Sequence, residues 1–191
     1  LVPILLEHGH TVTVIDNFRY GQTSLLALCM KPNLTIINHD VREYKHEHYS
    51  GADVIILLAA LVGAPLCERL PKNTFDTNYN AVAEIASRAD RNQILLFPMT
   101  NSGYGVGGDA ECTEEHPLQP ISRYGKAKCL AEQYILNHPK GISFRFATLF
   151  GCSPRMRLDL LVNDFVYRAV RDRSLTLFEG GFRRNYLHVR D

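Results

Sequence analysis

Asp53-Val54-Ile55-Ile56-Leu57-Leu58 is the stretch on which the fold turns. After Asp53 it is apolar at every position, without the in–out alternation of a strand that has one face in water. A strand built this way has both sheet faces covered, as in parallel sheets flanked by crossover helices. Gln93-Ile94-Leu95-Leu96-Phe97 repeats the pattern. Between the two, Thr74 to Asp90 has few breakers and predicts a long helix. Upstream, Thr11 to Ile15 and Leu34 to Ile37 read as strands, Leu1 to His8 as a helix end closed by Gly9, and Ser24 to Met30 as helical. Downstream, Gly103 to Pro120 holds most of the local Gly and Pro and reads as a loop. Ser122 to Asn137 reads as a helix with Ser122 as its N-cap. Ile142 to Ala147 is a strand, Leu158 to Asp172 a helix and Ser174 to Phe178 a short strand. Strands alternate with helices, which predicts a parallel α/β sheet.

Composition narrows the class. The chain has 191 residues, 46% hydrophobic and 21% charged, with a formal net charge of +1. That suits one domain, with room for the start of a second. No apolar run reaches the ~18 residues needed to cross a bilayer, so no membrane span is expected. No basic stretch marks a nucleic-acid track. The five cysteines (Cys29, Cys67, Cys112, Cys129 and Cys152) form no Cys-x-x-Cys pair, so reduced thiols in a cytoplasmic protein are expected rather than a zinc or disulfide framework. The eight histidines are scattered, and no metal site is expected. Leu1 falls inside a helix-like stretch, Pro3 and Glu7 argue against a signal peptide, and Tyr186 to Asp191 carries no terminal signal, so both ends are expected to be cut.

Three constellations carry chemistry. In Tyr124-Gly125-Lys126-Ala127-Lys128 the first and last residues share a helix face. A cation near a phenol favours the phenolate, which suits a general base; a surface Tyr and Lys pair fits the same spacing. Phe97-Pro98-Met99-Thr100-Asn101-Ser102-Gly103-Tyr104-Gly105 follows directly on a buried strand. Ligands of parallel sheets bind at carboxyl strand ends, where Thr100 and Ser102 would place hydroxyls; ordinary turn chemistry is the other reading. Asp16 closes the first visible strand, where an acid either binds a ribose or caps a turn. Arg155, after Pro154, is either a solvated loop residue or a phosphate contact, and Asn163 either a nucleotide or sugar contact or a solvent-facing side chain. Glu111, Glu114 and Glu115 read as a solvated acidic loop.

Together these residues resemble, along essentially the whole chain and in the same order, the extended short-chain dehydrogenases/reductases of the NAD-dependent epimerase/dehydratase family. Gly9 to Asn17 resembles that family's second strand with its ribose-binding acid, placing Asp16 and Asn17 at the cofactor. Asp40-Val41-Arg42 resembles the adenine-contacting turn. Leu58-Ala59-Ala60 resembles the strand end beside the dinucleotide, and Asn78 falls at the family's helix asparagine. Thr100, Tyr124 and Lys128 match the catalytic Ser/Thr, Tyr and Lys, and Arg184 an arginine that binds a nucleotide diphosphate.

The resemblance implies a Rossmann-like, doubly wound fold. Its glycine fingerprint and first strand are expected to lie upstream of Leu1. Residues 1–149 would form the NAD-binding domain and 150–191 the beginning of a substrate-binding lobe. It also implies transient oxidation of a nucleotide sugar at C4 through a 4-keto sugar. Tyr124 would act as base, with Thr100 on the same hydroxyl and Lys128 at the nicotinamide ribose. Tyr124 and Lys128 would therefore also contact the cofactor, and Ser102, Arg155, Asn163 and Arg184 would face the substrate. Relatives that lose water or carbon dioxide carry acids just after the Ser/Thr. This chain has Asn101 and Ser102 there, so C4 epimerisation is expected. The alternatives are a dehydratase, decarboxylase or reductase of the same family, an inactive fragment, or a non-catalytic dinucleotide-binding protein. Asp16 favours NAD over NADP. A homodimer of the full-length protein, through the helices at Thr74 to Asp90 and Ser122 to Asn137, is the expected assembly.

Overall fold

Strand β1 (Val12–Asp16) runs parallel to β2 (Leu34–Asn38), with Val12 opposite Leu34 and Asp16 opposite Asn38. Strand β3 (Val54–Ile56) runs parallel to β4 (Ile94–Thr100), which also borders β5 (Gly141–Phe146) in a second sheet. The computed structural model describes residues 1–106, 112–178, 180–181 and 183–191. These divide into two compact units, Leu1–Arg145 and Phe146–Asp191.

In the first unit, α1 (Val2–Glu7) ends as the sequence predicts. Gly9 takes a φ of 81°, and the amides of Gly9 and His10 return to the carbonyls of Leu6 and Leu5. This Schellman arrangement needs the left-handed conformation that glycine adopts without strain. Helix α2 (Ala64–Arg69) follows β3. A continuous helical run then comprises α3 (Pro71–Phe75), a π-helical turn (Asp76–Asn80) and α4 (Ala81–Arg88). Helix α5 (Arg123–Asn137) starts at Ser122, whose hydroxyl accepts the Gly125 amide at 3.1 Å.

The core lies between α4, α5 and one face of the second sheet. Leu95 and Phe97 of β4 are fully buried there with Ile55, Leu57, Val82, Ile85, Ala131 and Ile135. Alternate residues on the other face are less covered, with Val54 42% and Ile94 36% exposed. The continuous apolar pattern thus marks the strands correctly, while one face is packed far more tightly than the other.

In the second unit, β6 (Thr148–Phe150) pairs in parallel with β7 (Tyr186–His188), and α6 (Leu161–Arg171) lies between them in sequence. Two sequence expectations are corrected. Ser24 to Met30 forms only a 3₁₀ turn at Leu26–Leu28, since Leu26 and Met30 are exposed and Pro32 disfavours helix just before it. Ser174 to Phe178 is not a strand; its apolar Leu177 and Phe178 are exposed and pair with no strand among the described residues. No described helix is long and apolar enough to cross a membrane.

Candidate active site

Parallel pairing sets the carboxyl ends of paired strands on one edge, and Asp16, Asn17, Asp40, Val41, Leu58 to Ala60, Thr100 and Ser102 fall at or just beyond strand ends, while Asn78, Tyr124 and Lys128 lie on helical segments. Asp16 ends β1. Its Oδ1 accepts the Phe18 amide at 2.7 Å and its Oδ2 accepts the Gln22 side-chain amide at 3.3 Å. The carboxylate therefore organises the turn after β1, where Phe18 takes a φ of 48°. Each oxygen keeps further acceptor capacity.

Asn17 links the ends of β1 and β2 by donating from Nδ2 to Asp40 Oδ2 at 3.0 Å. Arg42 clasps the same carboxylate through Nε (2.9 Å) and Nη2 (2.7 Å). Those hydrogen bonds hold the Asp40 carboxyl well below the usual carboxylate range. Val41 between them is half-buried.

Beyond β3, Leu58 is 58% exposed, Ala59 is exposed and Ala60 half-buried. The next residue, Leu61, is fastened from behind. Asn78 is 1% exposed, and its amide donates to the Leu61 carbonyl and accepts from the Leu61 N–H, both at 2.8 Å. Asn78 thus holds the backbone of the segment that presents Leu58 to Ala60. It lies within the π-helical turn, a feature frequent at functional sites.

At the end of β4, Thr100 Oγ1 accepts the Ser102 amide at 3.2 Å and caps the 3₁₀ turn Asn101–Tyr104, leaving its own proton to donate. That turn lies against the start of α5. A Cβ on Gly125 would stand 3.2 Å from the Ser102 carbonyl oxygen and 3.1 Å from Pro120 Cβ. Glycine beside Tyr124 is therefore what lets the Thr100 and Tyr124 segments approach so closely.

Tyr124 is half-buried in the first turn of α5, and Lys128 lies one turn on, 3% exposed. The Lys128 ammonium stands 3.9 Å from the centroid of the Phe97 ring, and no carboxylate among the described residues forms an ion pair with it. Burial pushes its pKa down from 10.5 to about 7, while the ring face favours the charged form. The result is a lysine whose charge is destabilised by burial, inside the protein and one helical turn from a phenol.

In the second unit, Asn163 is buried; its Oδ1 accepts the Gly151 amide and its Nδ2 donates to the Arg157 carbonyl, both at 3.0 Å. Its side chain braces the loop after β6 rather than facing solvent. Arg155 and Arg184 are exposed, and Arg184 Nε donates to Thr148 Oγ1 at 3.0 Å. Glu114 and Glu115 are exposed, and Glu111 lies outside the described residues. Among those residues no group of three or more His, Cys, Asp or Glu side chains is placed to hold a metal.

The sequence reading passed over Phe97, taken only as strand, and over Glu132 and Arg145, which form a buried ion pair at 3.0 Å. The one signal available for the pair was a charged residue in otherwise apolar surroundings, Arg145 between Phe144 and Phe146.

A profile of the NAD dependent epimerase/dehydratase family matches residues 1–191. The chain is 30% identical over 189 residues to UDP-glucuronic acid decarboxylase 1 of Xenopus tropicalis, covering 93% of this chain and 44% of that protein. It is 22% identical over 204 residues to a putative UDP-glucose 4-epimerase of Methanocaldococcus jannaschii, covering 100% of this chain and 66% of that protein. Among solved structures, the UDP-glucuronic acid 4-epimerase of Bacillus cereus, crystallised with NAD, superposes with a TM-score of 0.83 at 20% identity, covering 98% of this chain and 64% of that one. The fold is thus the Rossmann-type fold of extended short-chain dehydrogenases/reductases. The chain belongs to the NAD dependent epimerase/dehydratase family, and it spans between about two fifths and two thirds of the length of these relatives.

Proposed function

We propose that the protein carrying this chain is an NAD-dependent nucleotide-sugar C4 epimerase. One observation supports it most: Thr100 and Tyr124 lie on segments that meet through Gly125, with a buried lysine one turn along the same helix and neutral Asn101 and Ser102 in the turn. The residues fit a dinucleotide. Asp16 offers acceptors for ribose hydroxyls, Asn17, Asp40 and Val41 border the adenine end, and Leu58 to Ala60 form an apolar rim. Lys128 supplies a cation for the second ribose, beside Asn78 and Tyr124.

Bound there, NAD would supply a reversible hydride acceptor for the sugar carbon. This chain's residues handle the proton. Tyr124 accepts it from the sugar hydroxyl, and the Lys128 charge lowers the cost of the phenolate. Thr100 hydrogen-bonds the same oxygen. Ser102, Arg155, Asn163 and Arg184 belong with the nucleotide-sugar side, Asn163 by bracing a loop. A homodimer of the full-length protein is part of the reading.

Hydride return to the turned sugar needs no further acid or base, and neither Asn101 nor Ser102 titrates in a useful range. A second reading, decarboxylation, is favoured by the identity to the Xenopus tropicalis enzyme. Proton NMR of the full-length protein with NAD and UDP-hexoses or UDP-hexuronic acids in deuterated water separates them. A C4 epimer free of deuterium is expected. A pentose, or a deuterated deoxy sugar, overturns the epimerase reading. Tyr124→Phe is expected to lower turnover by ~10³-fold, the scale of general-base catalysis.

A further inference from the structure

We infer that Arg145 and Glu132 form a positioning clamp that ties the segment after β4 to the helix bearing Tyr124 and Lys128. Glu132 lies on α5, one turn beyond Lys128 and two beyond Tyr124, and its side chain is 4% exposed. Three donors converge on its carboxylate: Ser143 Oγ at 2.6 Å, and Arg145 Nε and Nη2 at 3.0 Å each. The remaining arm of the guanidinium reaches the other way. Arg145 Nη1 donates to the Glu114 carbonyl at 2.7 Å and to the Tyr104 hydroxyl at 3.3 Å, and the guanidinium carbon lies 5.3 Å from the Tyr104 ring centroid. Tyr104 ends the 3₁₀ turn that Thr100 caps, and the same turn is held from its other side by the Gln119 amide on the Gly103 carbonyl at 2.8 Å.

One side chain on β5 therefore grips α5 with one edge and both flanks of the loop after β4 with the other. Stability alone does not call for this. A buried ion pair is often no better than apolar packing, because desolvation offsets the attraction. What the planar, forked guanidinium adds is direction: two contacts on the helix fix where the other two point, which a lysine cannot reproduce. Arg145 and Ser143 also occupy the carboxylate nearest to Lys128 along the helix, leaving the Lys128 charge for other work. Thr100 and Tyr124, on the two segments so tied, then keep one relative geometry.

The consequence for turnover rests on the reading under Proposed function, so the test has two readouts. In Arg145→Lys, amide hydrogen exchange at Gln119 and Gly105 is expected to quicken ~10-fold or more by local opening, while the β3–β4 ladder keeps its protection. With NAD and nucleotide sugar, kcat is expected to fall ~10²-fold, as for an ångström-scale misplacement, with KM little changed. Tyr104→Leu removes the hydroxyl and ring contacts of the clamp, leaves the Glu132 pair and the Glu114 carbonyl contact intact, and is expected to show the same two changes at smaller size if Arg145→Lys fails to fold. Unchanged exchange at Gln119, or a kcat loss no larger than the loss of folded protein, overturns the clamp. If the unsubstituted enzyme converts no nucleotide sugar, the epimerase reading falls by itself, and the exchange result still decides whether Arg145 ties the loop to α5.

Discussion

Replacing Lys128 by Met tests the electrostatics of the site independently of any substrate. Met keeps the unbranched stem and a favourable contact with the Phe97 ring but removes the charge. The folded state lowers the Lys128 pKa from 10.5 to about 7, through burial. Between those two values the unfolded chain binds more protons than the folded one, so stability of the native protein rises with pH across that window. Below about pH 7 both states hold the proton and the full penalty, about 5 kcal/mol, is present. The linkage relation leaves a penalty of about 4 kcal/mol at pH 7 and about 2 kcal/mol at pH 9. The ring contact, worth about 1 kcal/mol, offsets part of what the variant gains. Lys128→Met is therefore expected to be more stable than the parent at pH 7 by about 3 kcal/mol, an advantage that shrinks by about 2 kcal/mol at pH 9. Urea unfolding of both proteins at the two pH values measures this, and comparing them at each pH cancels most other titrations. An advantage that stays constant, or widens with pH, refutes the claim that Lys128 holds a desolvated charge.

Two further substitutions probe how the site is held. Ser122→Ala removes the hydroxyl that accepts the Gly125 amide and is expected to cost about 1 kcal/mol in urea unfolding, with Ser122→Asp recovering most of it. Asn78→Ala leaves the Leu61 N–H and carbonyl unpaired in the interior and is expected to cost about 3 kcal/mol; Asn78→Asp keeps the acceptor but sets a carboxylate against the Leu61 carbonyl, so its deficit should lessen as pH falls and the carboxyl protonates.

Which features the sequence disclosed follows from how local their physics is. Asp53 to Leu58 and Gln93 to Phe97 announced strands because an unbroken apolar run has few other uses at that length, and Leu95 and Phe97 are indeed fully buried. The Ser122 cap and the Gly9 stop were legible for the same reason, each being settled within a few residues. Ser24 to Met30 and Ser174 to Phe178 had the right local pattern but leave Leu26, Met30, Leu177 and Phe178 exposed, so packing does not support it. Thr148–Phe150 and Tyr186–His188, at three residues each, are too short to carry a period of their own.

The same division runs through the site. Tyr124 and Lys128 are four residues apart on one helix, so their shared face was legible from spacing alone. The contacts that give the spacing its value are remote in sequence: Phe97 beneath Lys128, Leu61 across from Asn78, and Arg145 across from Glu132. In each case an ordinary side chain acquires its role from a partner on another element. Asn78 shows the difference most clearly. Its place at the family's helix asparagine was legible, whereas its pairing with the Leu61 N–H and carbonyl, seventeen residues away, was not. A motif therefore names candidate groups, whereas their relative positions depend on partners far away in sequence, which is why Arg145→Lys and Asn78→Ala are the more searching variants of this site.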